Sequence, residues 1–224
     1  MLYIVATPIG NIKDITLRAI EILKEVDLIL CEDTRETIKL LNYYGIKKKL
    51  LSYYKDIEKK RVDRIIELLK EGKEIALVCD RGTPGISDPA YILVNEAYKN
   101  NIRVIPIPGP SALTASLSIS GFPLKNVYFI GFIPKKENEK KKIFEKFKEG
   151  NETIIFFESV YRIEKTLKLL NEILPEREIC ICRELTKMFE EVIRGKIKDI
   201  YELFKKERKK GEFVLIINGG NYGI

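Results

Sequence analysis

The sequence predicts an α/β protein in two domains, residues 1–110 built on a parallel sheet and residues 111–224 on a mixed one. Three observations carry this. Short apolar runs alternate with longer amphipathic stretches along the chain, the pattern of strands separated by crossover helices. Glycine- and proline-rich loops follow several of those runs. The segment Pro106-Ile107-Pro108-Gly109-Pro110 interrupts the alternation once and marks the linker between the halves.

The first strand is expected over 2–6, an unbroken apolar run that suits a strand buried on both faces. A helical stretch near 14–24 leads to a strand over 28–31, a helix near 36–43 to a strand over 50–53, and a helix near 59–70 to a strand over 74–78. Asp88-Pro89 then looks like a helix start, with aspartate as N-cap and proline at the first helical position, for a helix over 89–99. A strand over 104–107 closes the first half. Ser111 is expected to cap an apolar helix through Ile119, which opens the second half. There strands are expected over 127–130, 153–157, 178–182, 189–194 and 212–217, with helices near 139–148, 161–174 and 198–206.

Forty Lys and Arg against 33 Asp and Glu give a formal charge of +7, a balance that favours polyanionic partners. Lys47-Lys48-Lys49, Lys135-Lys136, Lys140-Lys141-Lys142 and the run 205–210 suit either a phosphate backbone or solvated faces. The chain has no histidine, which excludes an imidazole base, a histidine-ligated metal and a Ser-His-Asp triad. Cys31, Cys79, Cys180 and Cys182 fall in or at the ends of strands with no CxxC spacing, so they read as buried thiols and no metal site is expected. The longest apolar runs fall far short of the roughly 20 residues that span a bilayer, and a cytoplasmic protein is expected.

The loop Cys79-Asp80-Arg81-Gly82-Thr83-Pro84-Gly85-Ile86-Ser87-Asp88-Pro89 is built to hold a small ligand. Its glycines let backbone approach a ligand, its prolines stiffen it, and Ser87 and two aspartates bring polar groups to the end of a buried strand. Thr7-Pro8-Ile9-Gly10-Asn11 and Pro108-Gly109-Pro110-Ser111-Ala112 also follow strands, and in a parallel sheet all three loops emerge at one edge. Neither GxxxxGK[ST] nor a helix-opening GxGxxG occurs, which removes the usual nucleoside triphosphate and dinucleotide modes. A more polar group comprises Cys31-Glu32-Asp33-Thr34-Arg35, Glu158-Ser159 with Arg162, and Arg183-Glu184-Leu185-Thr186-Lys187. These residues suit substrate positioning, or equally helix capping by Asp33 or Thr34 and a surface ion pair of Arg183 with Glu184.

Tyr3 to Asn11, Asp14 to Ala19, Cys31 to Arg35, Gly82 to Pro89, Pro106 to Ala112 and Arg183 to Lys187, in that order and spacing, resemble the ribosomal RNA small subunit methyltransferase I family. The resemblance implies a class III, tetrapyrrole-methylase-like fold in two α/β domains, with S-adenosylmethionine held in the cleft between them, usually in a homodimer. It also implies 2'-O-methylation of a decoding-centre cytidine in 16S rRNA, free or in the small ribosomal subunit. Carried over residue by residue, it sets the cofactor against Pro8, Asp80, Gly82, Thr83, Pro84, Ile86, Ser87, Asp88, Ser111 and Ala112, with Phe157, Glu158 and Leu185 near the adenosine.

Arg81 stands where the family usually has alanine, Ala90 where it has glycine, Tyr54-Lys55 in place of His-Glu and Val160-Tyr161 in place of Pro-His. No histidine-dependent mechanism is therefore expected, and Arg81 is expected to point outward. Many relatives continue into a helical extension past the last strand, so RNA affinity is expected from the two-domain body and its lysines. Asp33 or Asp80 is the expected proton acceptor, and Arg18, Arg35, Arg162 and Lys187 are expected to hold RNA phosphates. The competing readings are methylation of a small tetrapyrrole and a non-enzymatic rRNA-binding assembly factor.

Overall fold

The computed structural model describes residues 1–207 and 210–219. The chain divides into two compact units, Met1–Ser111 and a second that begins at Ala112.

The first unit contains β1 (Leu2–Val5), α1 (Leu17–Glu25), β2 (Leu28–Cys31), α2 (Thr34–Tyr43), β3 (Leu50–Ser52), α3 (Glu58–Lys70), β4 (Ile75–Leu77), α4 (Tyr91–Lys99) and β5 (Val104–Ile107). Its five strands are all parallel, in the order β3-β2-β4-β1-β5. Alternate strand residues feed two cores. Tyr3, Val5, Ile29, Cys31, Ala76 and Val78 pack against Ala19 and Leu23 of α1 and Leu41 of α2. Leu2, Leu28, Leu30, Ile75 and Leu77 pack against Val62, Ile65 and Leu69 of α3 and Leu93 and Ala97 of α4.

Thus α1 and α2 cover one face and α3 and α4 the other. The central strand β4 sends its helix to one face, while its neighbours β1 and β2 send theirs to the opposite face. That divergence makes the carboxyl end of β4 the switch point, where doubly wound sheets place ligands. The loop 79–89 leaves β4 there.

The second unit contains α5 (Ala112–Ser120), β6 (Val127–Phe132), α6 (Glu137–Lys146), β7 (Thr153–Ser159), α7 (Ile163–Ile173), β8 (Glu178–Arg183), β9 (Glu191–Lys196), α8 (Ile197–Lys206) and β10 (Glu212–Ile217). Its sheet runs β6-β7-β10-β8-β9, with β6 and β7 parallel and the other pairs antiparallel. Phe144, Leu167, Leu170, Ile200 and Phe204, from α6, α7 and α8, bury Ile154, Phe156, Ile179, Ile181, Phe213 and Leu215 on one face. All four cysteines are buried, reduced thiols. Among the described residues no helix is long and apolar enough to cross a membrane.

Three local expectations change. Asp88 does not cap α4: the helix begins at Tyr91, its N-cap is Ala90 without a side-chain cap bond, and the Asp88 carboxyl meets the Cys79 thiol instead. β9 begins at Glu191 rather than at residue 189, because Glu184 (φ 51°) and Thr186 (φ 64°) wind the chain into a turn with bonds from Lys187 N–H to Glu184 O and Glu190 N–H to Lys187 O. Lys140 is not on a solvated face: it is 4 % exposed within the second unit.

Candidate functional site

Three loops of the first unit are tied together at the carboxyl edge of its sheet. Thr7 and Gly82 exchange both backbone hydrogen bonds, Thr7 N–H to Gly82 O at 2.8 Å and Gly82 N–H to Thr7 O at 3.0 Å. The Thr7 hydroxyl donates to Cys79 O at 3.0 Å, and the Thr83 hydroxyl donates to Pro110 O at 3.1 Å. Gly82 has φ of +86°, which a side chain rarely adopts, and an added Cβ would lie 3.4 Å from Ile9 Cγ2. Gly109 is required for closeness: a Cβ there would lie 3.0 Å from the Ala6 Cβ. Pro8, Gly82, Thr83, Pro84, Ile86, Ser87, Asp88 and Ser111 therefore belong to one interlocked edge, where Ser87 is itself held at φ of 74°. Ala112 begins α5 in the second unit.

The carboxylates at this edge sit in contrasting settings. Asp33 caps α2 by accepting the Arg35 N–H at 2.8 Å, and it holds the Arg35 guanidinium through Nε to Oδ1 at 3.0 Å and Nη2 to Oδ2 at 2.6 Å. Those bonds lower its pKa to about 2. Asp80 lies behind it: its Oδ1 accepts the Asp33 N–H at 3.0 Å. Burial, opposed by that bond and reinforced by the charges of Asp33 and Glu36, raises the Asp80 pKa. Burial also raises Asp88, against a hydrogen bond from the Cys79 thiol, with Asp80 adding repulsion. Glu32 is raised by burial and then by the charges of Asp80, Asp88 and Asp33. Glu32, Asp80 and Asp88 thus form a cluster of partly desolvated negative charge at the carboxyl edge of the sheet, a setting that favours a cationic ligand.

Arg81 is exposed, and its charge opposes the upward shift of Asp80. Arg18 and Arg35 are exposed at the first turns of α1 and α2, with Arg35 engaged by Asp33.

In the second unit, β7 and β8 end on either side of the start of β10, where Phe213 pairs with both Glu158 and Arg183. Glu158 is buried with both oxygens filled. Oε1 accepts the Ser159 N–H at 2.7 Å and Arg162 Nη2 at 2.8 Å, while Oε2 accepts the Thr166 hydroxyl at 2.6 Å and Lys140 Nζ at 3.3 Å. The carboxylate therefore fastens the strand end to α6 and α7. Arg162 also donates to Ser159 Oγ and Ile133 O, and Lys187 bridges Glu184 at 2.9 Å and Glu212 at 2.8 Å. These two cations brace loops, whereas Arg18 and Arg35 face outward. Phe157 packs edge-on to Phe129 and Phe132, and Leu185 is 8 % exposed.

Two contributors carry no individual role in the sequence reading. Glu32 was visible only as a neighbour of Asp33, although its place directly after the last residue of β2 puts it at the sheet edge. Thr7 stood in its loop without a role, and its two-sided bonding to the 79–82 segment needed the sheet order to be seen.

The sequence matches the family of tetrapyrrole (corrin/porphyrin) methylases over residues 1–201. It is 48% identical over 218 residues to a ribosomal RNA small subunit methyltransferase I from Thermotoga maritima, covering 97% of this chain and 98% of that one. The protein of the same name from Leptospira biflexa is 47% identical, covering 97% of this chain and 90% of that one. Among solved structures, a cobalt precorrin-4 methyltransferase of cobalamin biosynthesis is similar with a TM-score of 0.68 at 17% identity, covering 97% and 94% of the two chains. A uroporphyrin-III-C-methyltransferase from Thermus thermophilus gives 0.64 at 17% identity, covering 97% and 94%. At that identity the likeness concerns the fold.

Proposed function

The chain belongs to the ribosomal RNA small subunit methyltransferase I family and carries the tetrapyrrole methylase domain, and from that premise we propose that it methylates small-subunit ribosomal RNA. The donor in this reading is S-adenosylmethionine, and the acceptor is the ribose 2'-oxygen of a decoding-centre cytidine in 16S rRNA. The observation that supports it most is the Glu32, Asp80 and Asp88 cluster at the switch point, where burial and mutual repulsion raise all three carboxyl pKa values and a bound cation would offset that repulsion. S-adenosylmethionine carries a sulfonium, an ammonium and a carboxylate, a net positive charge, so an acidic cluster fits its cationic groups. When bound, it supplies the activated methyl group.

The chain's own residues divide the remaining work. The interlocked loops around Pro8, Gly82, Thr83, Pro84, Ile86, Ser87 and Ser111 offer the backbone and hydroxyl groups that hold the ligand. Within the second unit, Phe157 and Leu185 are the apolar residues that the family resemblance assigns to the adenosine, and Glu158 fixes the strand end that carries Phe157. Of the two aspartates expected to accept a proton, Asp80 fits better. Its raised proton affinity suits a base, whereas Asp33 is held near 2 by Arg35. Asp80 Oδ1 is fixed by the Asp33 N–H, which makes Oδ2 the oxygen assigned to the acceptor hydroxyl. Arg18 and Arg35 supply cations for RNA phosphates at the same edge. The partners in this reading are 16S rRNA or the small subunit, and a second copy of the chain, in the cytoplasm.

The test is incubation with methyl-labelled S-adenosylmethionine and unmodified small subunits, followed by mapping of the label. Label on the ribose of one decoding-centre cytidine is expected. Label on a base, or label only on an added tetrapyrrole, overturns the assignment.

A further inference from the structure

Two tyrosines that the methyl-transfer reading leaves unused stand at the same sheet edge as the carboxylate cluster. Tyr91 is the first residue of α4 and 78 % exposed, and Tyr54 lies two residues past the end of β3 and is 38 % exposed. Their backbone neighbours fix where they sit. Tyr53 and Ala90 are both buried in the core that α3 and α4 share, so Tyr54 and Tyr91 each leave the α3/α4 face at the carboxyl edge of the sheet. Arg18 and Arg35 begin the helices of the opposite face. The carboxyl edge of this sheet therefore carries two exposed tyrosines on the α3/α4 face and two exposed arginines on the α1/α2 face, with the carboxylate cluster at the same edge.

Exposed phenols beside a cationic track are the elements of a single-stranded nucleic acid surface, because rings stack on bases whatever their identity while cations follow the backbone. A compact small-molecule acceptor has no need of such groups outside its own site. We propose that Tyr54 and Tyr91 form a stacking platform for unpaired bases that flank the acceptor nucleotide, which makes them positioning residues for the RNA. The proposal rests on the rRNA methyltransferase reading.

The test compares wild type with Tyr91→Ala, Tyr54→Ala and the two Phe variants, measuring the dissociation constant for small ribosomal subunits, the KM for subunits and the calorimetric affinity for S-adenosylmethionine. Each Ala variant is expected to weaken subunit binding and raise KM about tenfold, with near-wild-type behaviour in the Phe variants and unchanged cofactor affinity. Ala variants that bind subunits as wild type does overturn the platform, as do Phe variants as weak as the Ala ones. A wild type that binds subunits but transfers no methyl group removes the enzymatic reading, and the binding constants of the variants still decide the platform.

Discussion

Asp33, Asp80 and Asp88 are one side-chain type in three settings, and the settings assign their chemistry. Asp33 is held by Arg35 well below the ordinary carboxylate range, so the stability it contributes is present above pH 4 and is lost as the pH falls toward 2. An Asp33→Ala variant is therefore expected to unfold at a higher pH than wild type in an acid titration followed by circular dichroism. Asp88 is shifted the other way: burial makes its charged form costly, so stability rises as the pH falls through its raised pKa. Asp88→Asn should raise the melting temperature at pH 7.5 by a few degrees, on a scale of about 2–4 °C per kcal/mol relieved. The same variant should weaken S-adenosylmethionine binding, since the repulsion it relieves is what the cofactor's charge would otherwise offset. A variant both destabilised and normal in binding would contradict that account. None of these shifts was legible in the sequence. Asp33, Asp80 and Asp88 could be picked out by their loops, but only the geometry shows that Arg35 holds Asp33 and the buried Cys79 thiol faces Asp88.

At the scale of elements, alternation of apolar runs located nearly every strand and helix, because a buried parallel strand and an amphipathic helix differ in length and period. The β8–β9 turn and the start of α4 were misplaced where local signals competed with tertiary contacts. The Asp88-Pro89 pair has the form of a helix start, yet the carboxyl is drawn to the strand end. Lys140 carried no sign of burial in a run of three lysines, since its partners Glu158 and Thr166 come from β7 and α7. The burial of both side chains makes the pair sensitive to removal of one member. Lys140→Met alone is expected to cost ~3 kcal/mol or more in urea unfolding, because it leaves a buried carboxylate less well paired. A loss below ~1 kcal/mol would show that Arg162 and Thr166 suffice. Gly82→Ala should also destabilise, by about 1–2 kcal/mol, because its left-handed backbone closes the Thr7 bridge.

For the whole molecule, the charge of +7 is not spread as the lysine runs suggested. Lys140 is internal, Lys136, Lys141 and Lys205 pair with Glu139, Glu145 and Glu202, and the arginines expected at phosphates split between outward-facing Arg18 and Arg35 and internally braced Arg162. Subunit affinity should fall steeply with salt, with a log–log slope reduced by roughly 0.7–0.9 for each phosphate-contacting cation removed. Arg18→Ala should reduce that slope, and an unchanged slope would take Arg18 out of the interface. The two-unit architecture could be anticipated from the proline-rich break, but the switch point could not, because strand order depends on long-range pairing that no local pattern encodes.

The most direct test of the central claim, that the carboxylate cluster at the end of β4 is built for a cationic methyl donor, is a calorimetric titration of S-adenosylmethionine into wild type and Asp80→Asn at pH 7.5. The account expects one site per chain and an affinity reduced about tenfold or more in the variant, in line with loss of one negative charge from the cluster that faces the cofactor's cation. Equal affinity in the two proteins, or no binding to wild type, would contradict it.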